Sequence, residues 1–353
     1  MKTYKNLFEK AISIESLLQA WDEFKIGKRA RPDVQAFEYH LEDNLFALQR
    51  DLVTRRYKHG PYYAFHIRDP KPRIIHKASV RDRIVHHALH QALNPIFEPT
   101  FIADSYSCRC NKGTHRGVRR LRFFLNKTYK NHGTCFALKC DVKKFFGSID
   151  HEILLKIIEK RLKDEPMLFL LRNLIHSFSG AAAAPERERE SGCPIGNLTS
   201  QLFANIYLNE LDQFIKHSLK EKHYLRYADD FIIVHHDAYH LAEVQRAIED
   251  FLASTLRLKL HPDKITIRKY SQGVDFLGYV TLPYARVLRT KTKRRIMKKL
   301  RKRICEYKQG TIAETSLNQT ISSYMGVLCH ASSHKLKERI RHECWELIKN
   351  PDV

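Results

Sequence analysis

Several features are scarce in this 353-residue sequence, and each scarcity excludes something. No apolar run approaches the roughly 20 residues that cross a bilayer, so a spanning helix is not expected. Glycine and proline, at 13 and 12 positions, are too few for a collagen-like or low-complexity chain. None of the eight cysteines forms a CxxC pair, and Cys108-Arg109-Cys110 has the wrong spacing for a zinc knuckle. The thiols are therefore expected to be reduced and mostly buried. No HExxH pair occurs, and the pairs His86-His87 and His235-His236 are adjacent rather than a helical turn apart. The start, Met1 to Asn6, leads into no apolar signal core, so a cytoplasmic protein is expected. With 43% hydrophobic residues the chain is globular, and its length suits one large or two modest domains.

Acid is missing where base is densest. The formal net charge is +23, and from Arg286 to Arg303 there are eleven Lys/Arg and no Asp or Glu. A run this dense repels itself unless it meets a polyanion, of which nucleic acid is the commonest. A solvated helical face is the plainer alternative. Neutralising phosphates with release of their counterions is the favoured use.

Hydrophobic spacing predicts the elements. Ile14, Leu17, Leu18 and Trp21, then Phe37, Leu41, Leu45 and Leu48, recur at helical intervals. Tyr62 to Ile75 alternates like two strands, with Pro70 and Pro72 marking a turn, and Arg83 to Phe97 returns to helix. Thr134 to Asp141 suits a buried strand. Asp150 is placed to cap the following helix, with Glu152 in its first turn. Ser179 to Gly192 reads as a loop, Leu198 to Phe214 as a helix and Val274 to Val280 as a strand. Tyr224 to Tyr227 and Phe231 to Val234 are strand-like runs around Ala228-Asp229-Asp230, a hairpin with carboxylates at its tip. The order is α+β, with a basic helical unit after about Pro283.

The carboxylates carry the chemistry. Asp229 and Asp230 stand at that tip, and Asp141 ends a different apolar strand. An isolated Asp-Asp pair is ordinarily a surface turn; a third aspartate on a buried strand changes its meaning. Drawn together these groups repel, and a hard divalent cation such as Mg²⁺ removes that cost. Two such ions can activate a 3′-hydroxyl and stabilise a leaving pyrophosphate.

Tyr227-Ala228-Asp229-Asp230 resembles the YxDD box of reverse transcriptases, and the segment Lys139 to Asp150, with Asp141, resembles their first palm motif. Lys71-Pro72-Arg73-Ile74-Ile75 with Arg81-Asp82-Arg83 is similar to the fingers segment that grips the triphosphate. Pro95-Ile96-Phe97-Glu98 and Ser105 to Arg109 resemble the next fingers block, and Gly192 to Gln201 the block under the templating base pair. Asp263-Lys264 and Phe276-Leu277-Gly278-Tyr279 match the last two palm motifs, the latter the primer grip. Seven motifs in order cover nearly the whole chain.

The resemblance implies a right-hand polymerase: residues 1–133 as N-terminal extension and fingers, 134–283 as palm with the remaining fingers insertion and an antiparallel sheet packed on helices, and 284–353 as a small helical thumb. It implies RNA-directed DNA polymerase activity with two Mg²⁺ ions, Mn²⁺ being a substitute, on Asp141, Asp229 and Asp230. Lys71, Arg73, Phe146, Ile195, Gly196, Gln201 and Lys264 would surround the dNTP, with Phe146 excluding a 2′-hydroxyl. Tyr227, Phe276, Leu277, Gly278, Arg294, Arg295, Lys298 and Lys299 would hold primer and template. Ile195-Gly196-Asn197-Leu198-Thr199-Ser200-Gln201 most resembles the reverse transcriptases of diversity-generating retroelements; most others carry Gln before that Gly and Pro after the Ser. The 74 residues after Tyr279 are too few for both a maturase region and a nuclease. That branch implies a bacterial or phage protein copying a template-repeat RNA into adenine-mutagenised cDNA, with a small basic, oligomeric accessory variability protein. Retron, abortive-infection and CRISPR-associated enzymes, or a non-catalytic RNA-binding protein, are the alternatives.

Overall fold

A computed structural model describes residues 2–69, 72–178 and 191–349. The chain divides into two compact units: Met1–Asn111, Cys140–Phe231 and Val244–Ile265 form the first, and Lys112–Lys139, Ile232–Glu243 and Thr266–Val353 the second.

The first unit begins with helices α1 (Phe8–Ala11), α2 (Ile14–Lys25), α3 (Pro32–Tyr39) and α4 (Leu41–Val53). Ser13 caps α2 by accepting a hydrogen bond from the Ser16 N–H at 3.2 Å, and the helix buries Leu17, Ala20, Trp21 and Phe24 along one stripe. Strands β1 (Tyr63–Ile67) and β2 (Arg73–Lys77) form an antiparallel hairpin in the register Tyr63↔Lys77 to Ile67↔Arg73. The two strands are those the alternation predicts; Lys71, between them, lies outside the described residues, as do residues 179–190 of the expected loop. Helix α5 (Val80–Phe97) is capped by Ser79, and its stripe of Ile84, Val85, Ala88, Leu89 and Leu93 packs on α2.

The second unit opens with α6 (Thr114–His132), an amphipathic helix that the hydrophobic spacing had not singled out, ended by Gly133 in the left-handed region. Strand β3 (Phe136–Asp141) follows, then, in the first unit, α7 (His151–Glu159), α8 (Glu165–His176) and α9 (Leu198–Gln213). Asp150 caps α7 as expected, its Oδ1 accepting from the Ile153 N–H at 2.9 Å. Helix α9 buries residues all round its circumference and packs against α5 and α7, which makes it the pillar of this unit.

Strands β4 (Tyr224–Tyr227) and β5 (Asp230–His235) precede α10 (Ala238–Thr255) and β6 (Thr266–Lys269), giving a sheet of order β4-β5-β3-β6 in which β3 and β6 run antiparallel. The expected strand over Val274–Val280 is instead a hairpin of β7 (Val274–Phe276) and β8 (Tyr279–Thr281). Leu277 and Gly278 have φ of +50° and +87°, the two-residue turn whose twist suits a hairpin, and the apolar Leu277 had masked it. Strand β9 (Arg286–Leu288) adds to β8, so the basic run starts as strand. Helices α11 (Thr290–Lys308), α12 (Glu314–Cys329) and α13 (His334–Lys349) complete the unit, α11 burying Ile296, Leu300 and Ile304.

The fold is α+β with antiparallel sheets, as expected. The thiols differ from expectation: Cys135, Cys140 and Cys193 are buried, but Cys108, Cys110, Cys305 and Cys329 are exposed, since a thiol on the outward side of a loop or helix is not drawn in by its neighbours' burial. Among the described residues no helix is long and apolar enough to cross a membrane.

Candidate active site

The site is built on the turn between β4 and β5, where Ala228 takes a φ of +53°. A non-glycine residue holds that conformation only where its surroundings enforce it. They do so through Arg226, whose side chain is fully buried in β4. Its guanidinium grips the Asp212 carboxylate of α9 in a fork, Nη2 to Oδ2 at 2.6 Å and Nε to Oδ1 at 2.8 Å. Nη1 donates to the Asn205 Oδ1 and to the Ala228 carbonyl, each at 3.2 Å. The Tyr224 hydroxyl adds a bond to the Asp212 Oδ1 at 2.6 Å. Burial alone disfavours the arginine's charge, but the Asp212 charge and hydrogen bonds more than offset it, so its pKa is raised. Sequence reasoning missed this pair. The available signal was an arginine in an otherwise apolar strand, which demands a buried counter-charge.

On that support the two carboxylates meet. Asp229 lies in the turn, and its carbonyl accepts from the Val142 N–H at 3.1 Å, which ties it to the end of β3. The Asp141 carbonyl accepts from the His261 N–H at 2.8 Å, and its Oδ1 takes the Lys264 ammonium at 2.6 Å. Burial, and then the charge of Asp141, push the Asp229 carboxyl upward; its own backbone N–H, Lys264 and Arg73 pull the other way. Asp141, Asp229, Lys264 and Arg73 therefore share one electrostatic field. Asp230 opens β5 and is half-buried.

Among the described residues no three His, Cys, Asp or Glu side chains converge as a closed metal cage. An Asp229 carboxyl pushed upward by burial and by the neighbouring Asp141 charge still fits Mg²⁺, which takes one or two protein carboxylates and completes its shell with water and substrate phosphates. Lys264 holds the compensating charge on Asp141 in the bare protein.

The remaining first-unit residues frame this pair. Phe146 is half-buried, its ring 5.4 Å from that of the buried Phe145 and just beyond Lys144, whose φ is +46°. Ile195 accepts the His76 N–H at 3.0 Å, and the Asn197 side chain donates to the His76 carbonyl at 3.3 Å, so the segment before α9 is sewn to β2, the strand of Arg73. Gly196 has a φ of +123°, and a Cβ there would meet Ile75 Cγ2 at 2.8 Å. Only glycine fits. Arg73 and Gln201 are exposed and Tyr227 half-buried. Phe276, Leu277, Gly278, Arg294, Arg295, Lys298 and Lys299 belong to the second unit, where Phe276 is buried and the four basic residues are exposed.

Comparison with known proteins agrees with this geometry. "Protein YkfC" of Escherichia coli (strain K12) is 26% identical over 273 residues, covering 68% of this chain and 71% of that protein. The "Group II intron-encoded protein LtrA" of Lactococcus lactis subsp. cremoris is 26% identical over 300 residues, covering 64% of this chain; this chain spans 48% of LtrA. The family described as reverse transcriptase (RNA-dependent DNA polymerase) matches residues 66–281, a span that takes in Arg73, Asp141, the Tyr227–Asp230 turn and Lys264. By that match the chain belongs to the reverse transcriptase family and its enzymatic class is RNA-directed DNA polymerase.

Proposed function

We propose that this enzyme copies a template-repeat RNA into adenine-mutagenised cDNA for a diversity-generating retroelement, using dNTPs and Asp141 with Asp229 as its reaction centre. The observation that carries the polymerase chemistry is the pair itself: two carboxylates in one field, one neutralised by an ammonium at 2.6 Å. Bound Mg²⁺, or Mn²⁺ in its place, would supply charge neutralisation, activation of the primer 3′-hydroxyl and stabilisation of the departing pyrophosphate, held by Asp141 and Asp229 with Asp230 adjoining.

The chain's own residues do the positioning. Arg73, with Lys71 two residues before it in the sequence, attracts the triphosphate. Lys264, whose ammonium lies 2.6 Å from the Asp141 carboxylate, would offer a proton or a charge to the leaving group. Phe146 packs under the sugar and discriminates against a 2′-hydroxyl. Tyr227, Phe276, Leu277 and Gly278 support the primer end. Arg294, Arg295, Lys298 and Lys299 line the exposed side of α11 and track duplex phosphates without reading sequence. In this reading residues 1–133, 134–283 and 284–353 serve as fingers, palm and thumb.

The retroelement branch rests on Ile195 to Gln201. Ile195 offers no side-chain hydrogen bond where related enzymes carry glutamine, and an apolar contact discriminates poorly between well-placed and misplaced nucleotides. Primer extension on a defined RNA, with and without the small basic accessory protein, tests the assignment. Errors concentrated opposite template adenine are expected, and Ile195→Gln should lower them. Faithful copying by the wild type would refute the branch and favour an intron-type role, which the likeness to LtrA supports.

A further inference from the structure

The second unit carries positive charge that the basic helix α11 does not account for. Helix α6 has no Asp or Glu between Thr114 and His132, while Arg116, Arg119, Arg120, Arg122, Lys127 and Lys130 are spread along it. Its inner stripe, Val118, Leu121, Phe124 and Leu125, is buried.

At the N-terminal half of α6 the charge is concentrated. Arg119 and Arg122 lie close enough to Arg286 of β9 that, after burial, Arg122 is the next cause depressing the Arg286 pKa, with Arg119 adding to it. Arg286 stands over the Tyr279 ring at 5.8 Å, and its Nε is buried with no hydrogen-bond partner. His115, one turn before Arg119, bonds the Tyr279 hydroxyl at 3.2 Å and stacks on His330 at 3.6 Å between ring centroids. None of Arg119, Arg122 and Arg286 forms an ion pair with a carboxylate among the described residues.

Three guanidinium groups gathered without an acid are costly unless an anion joins them. A structural role would place a carboxylate there, as Asp212 serves Arg226 and Asp275 serves Arg289. A phosphodiester fits better, because guanidinium forks match phosphate oxygens.

We propose that Arg119, Arg122 and Arg286 form a phosphate-binding site for a nucleic-acid backbone, separate from the α11 surface and from the Asp141–Asp229 centre. The site rests on family membership for its ligand class and not on the retroelement reading.

The test is equilibrium binding of a fluorescent RNA hairpin by full-length protein across a salt series. The variants are Arg119→Gln/Arg122→Gln and, separately, Arg286→Gln. A charge-matched control, Lys5→Gln/Lys10→Gln, changes two lysines of the N-terminal segment. The α6 double variant is expected to bind about tenfold or more weakly at moderate salt, with the log–log salt slope smaller by roughly one to two, while the control stays near wild type. Arg119→Gln alone, at an exposed position, should give a partial loss without altering the melting curve. Wild-type affinity and slope in both α6 and β9 variants would overturn the proposal. Loss of pyrophosphate competition with RNA binding intact would overturn it too, assigning the arginines to a free anion. Activity of the RNA-binding variants on a short primer–template distinguishes failure of this site from failure of the polymerase reading.

Discussion

Two ion pairs of the same length, 2.6 Å, do opposite work in the first unit. Arg226–Asp212 has both side chains at 0% exposure, saturated by Tyr224, Asn205 and the Ala228 carbonyl. Lys264–Asp141 has its lysine 40% exposed and its aspartate 15% exposed, with one hydrogen bond between them. The buried pair is fixed, because separating it would strand two charges without water. The open pair is exchangeable, because water or a cation can take over either partner. Permanence sits under the turn and lability at its mouth, and the chemistry needs both.

The sharpest way to break this contrast is at the mouth. Asp141→Asn and Asp229→Asn should each lower primer extension on the order of 10³-fold or more, since a carboxamide cannot neutralise a cation, while RNA affinity and melting temperature stay near wild type. Near-normal extension by either variant would remove the pair from the reaction centre. The buried pair should respond in stability first. Arg226→Met leaves Asp212 unpaired and should cost ~3–5 kcal/mol in denaturant unfolding, whereas Arg226→Met/Asp212→Leu should recover much of that loss but not the activity, because the Ala228 carbonyl loses its donor.

Much of this was legible beforehand and some was not. Asp141 and Asp229 announce themselves by standing at the ends of apolar strands, and Asp150 by preceding a helical stripe; these are local patterns. The Arg226–Asp212 pair joins residues on a strand and a helix with no local signature, so only the demand for a buried counter-charge hinted at it. Leu277 misled because an apolar residue in a left-handed turn reads as strand. Helix α6 was obscured by its charge, since its apolar stripe is diluted by arginines.

Smaller effects sharpen the picture. Gly196→Ala combines a positive φ with a 2.8 Å approach to Ile75 and should cost about 1–3 kcal/mol, with a loss of dNTP affinity read as a raised KM. Lys264→Met should shift stability by less than ~1 kcal/mol, because its pair is open to solvent. Turnover should nevertheless fall by about 10²-fold, the usual scale for a missing proton donor. A stability loss as large as that of Arg226→Met would mean the two pairs are alike after all.

The β1–β2 hairpin has one further consequence. It is only two strands, most of its residues face solvent, and such a ribbon is marginal by itself. Its firm attachments include the His76 backbone bonds to Ile195 and Asn197. The ribbon and the segment that precedes α9 are thus one cooperative opening unit: amide exchange at His76 should report the ribbon's local unfolding, at a free energy well below that of the Leu202–Leu211 core of α9. If the proposed dNTP contacts of Arg73 form, bound nucleotide should slow that exchange from a distance, which makes a single backbone amide a clock for how often the ribbon lets go.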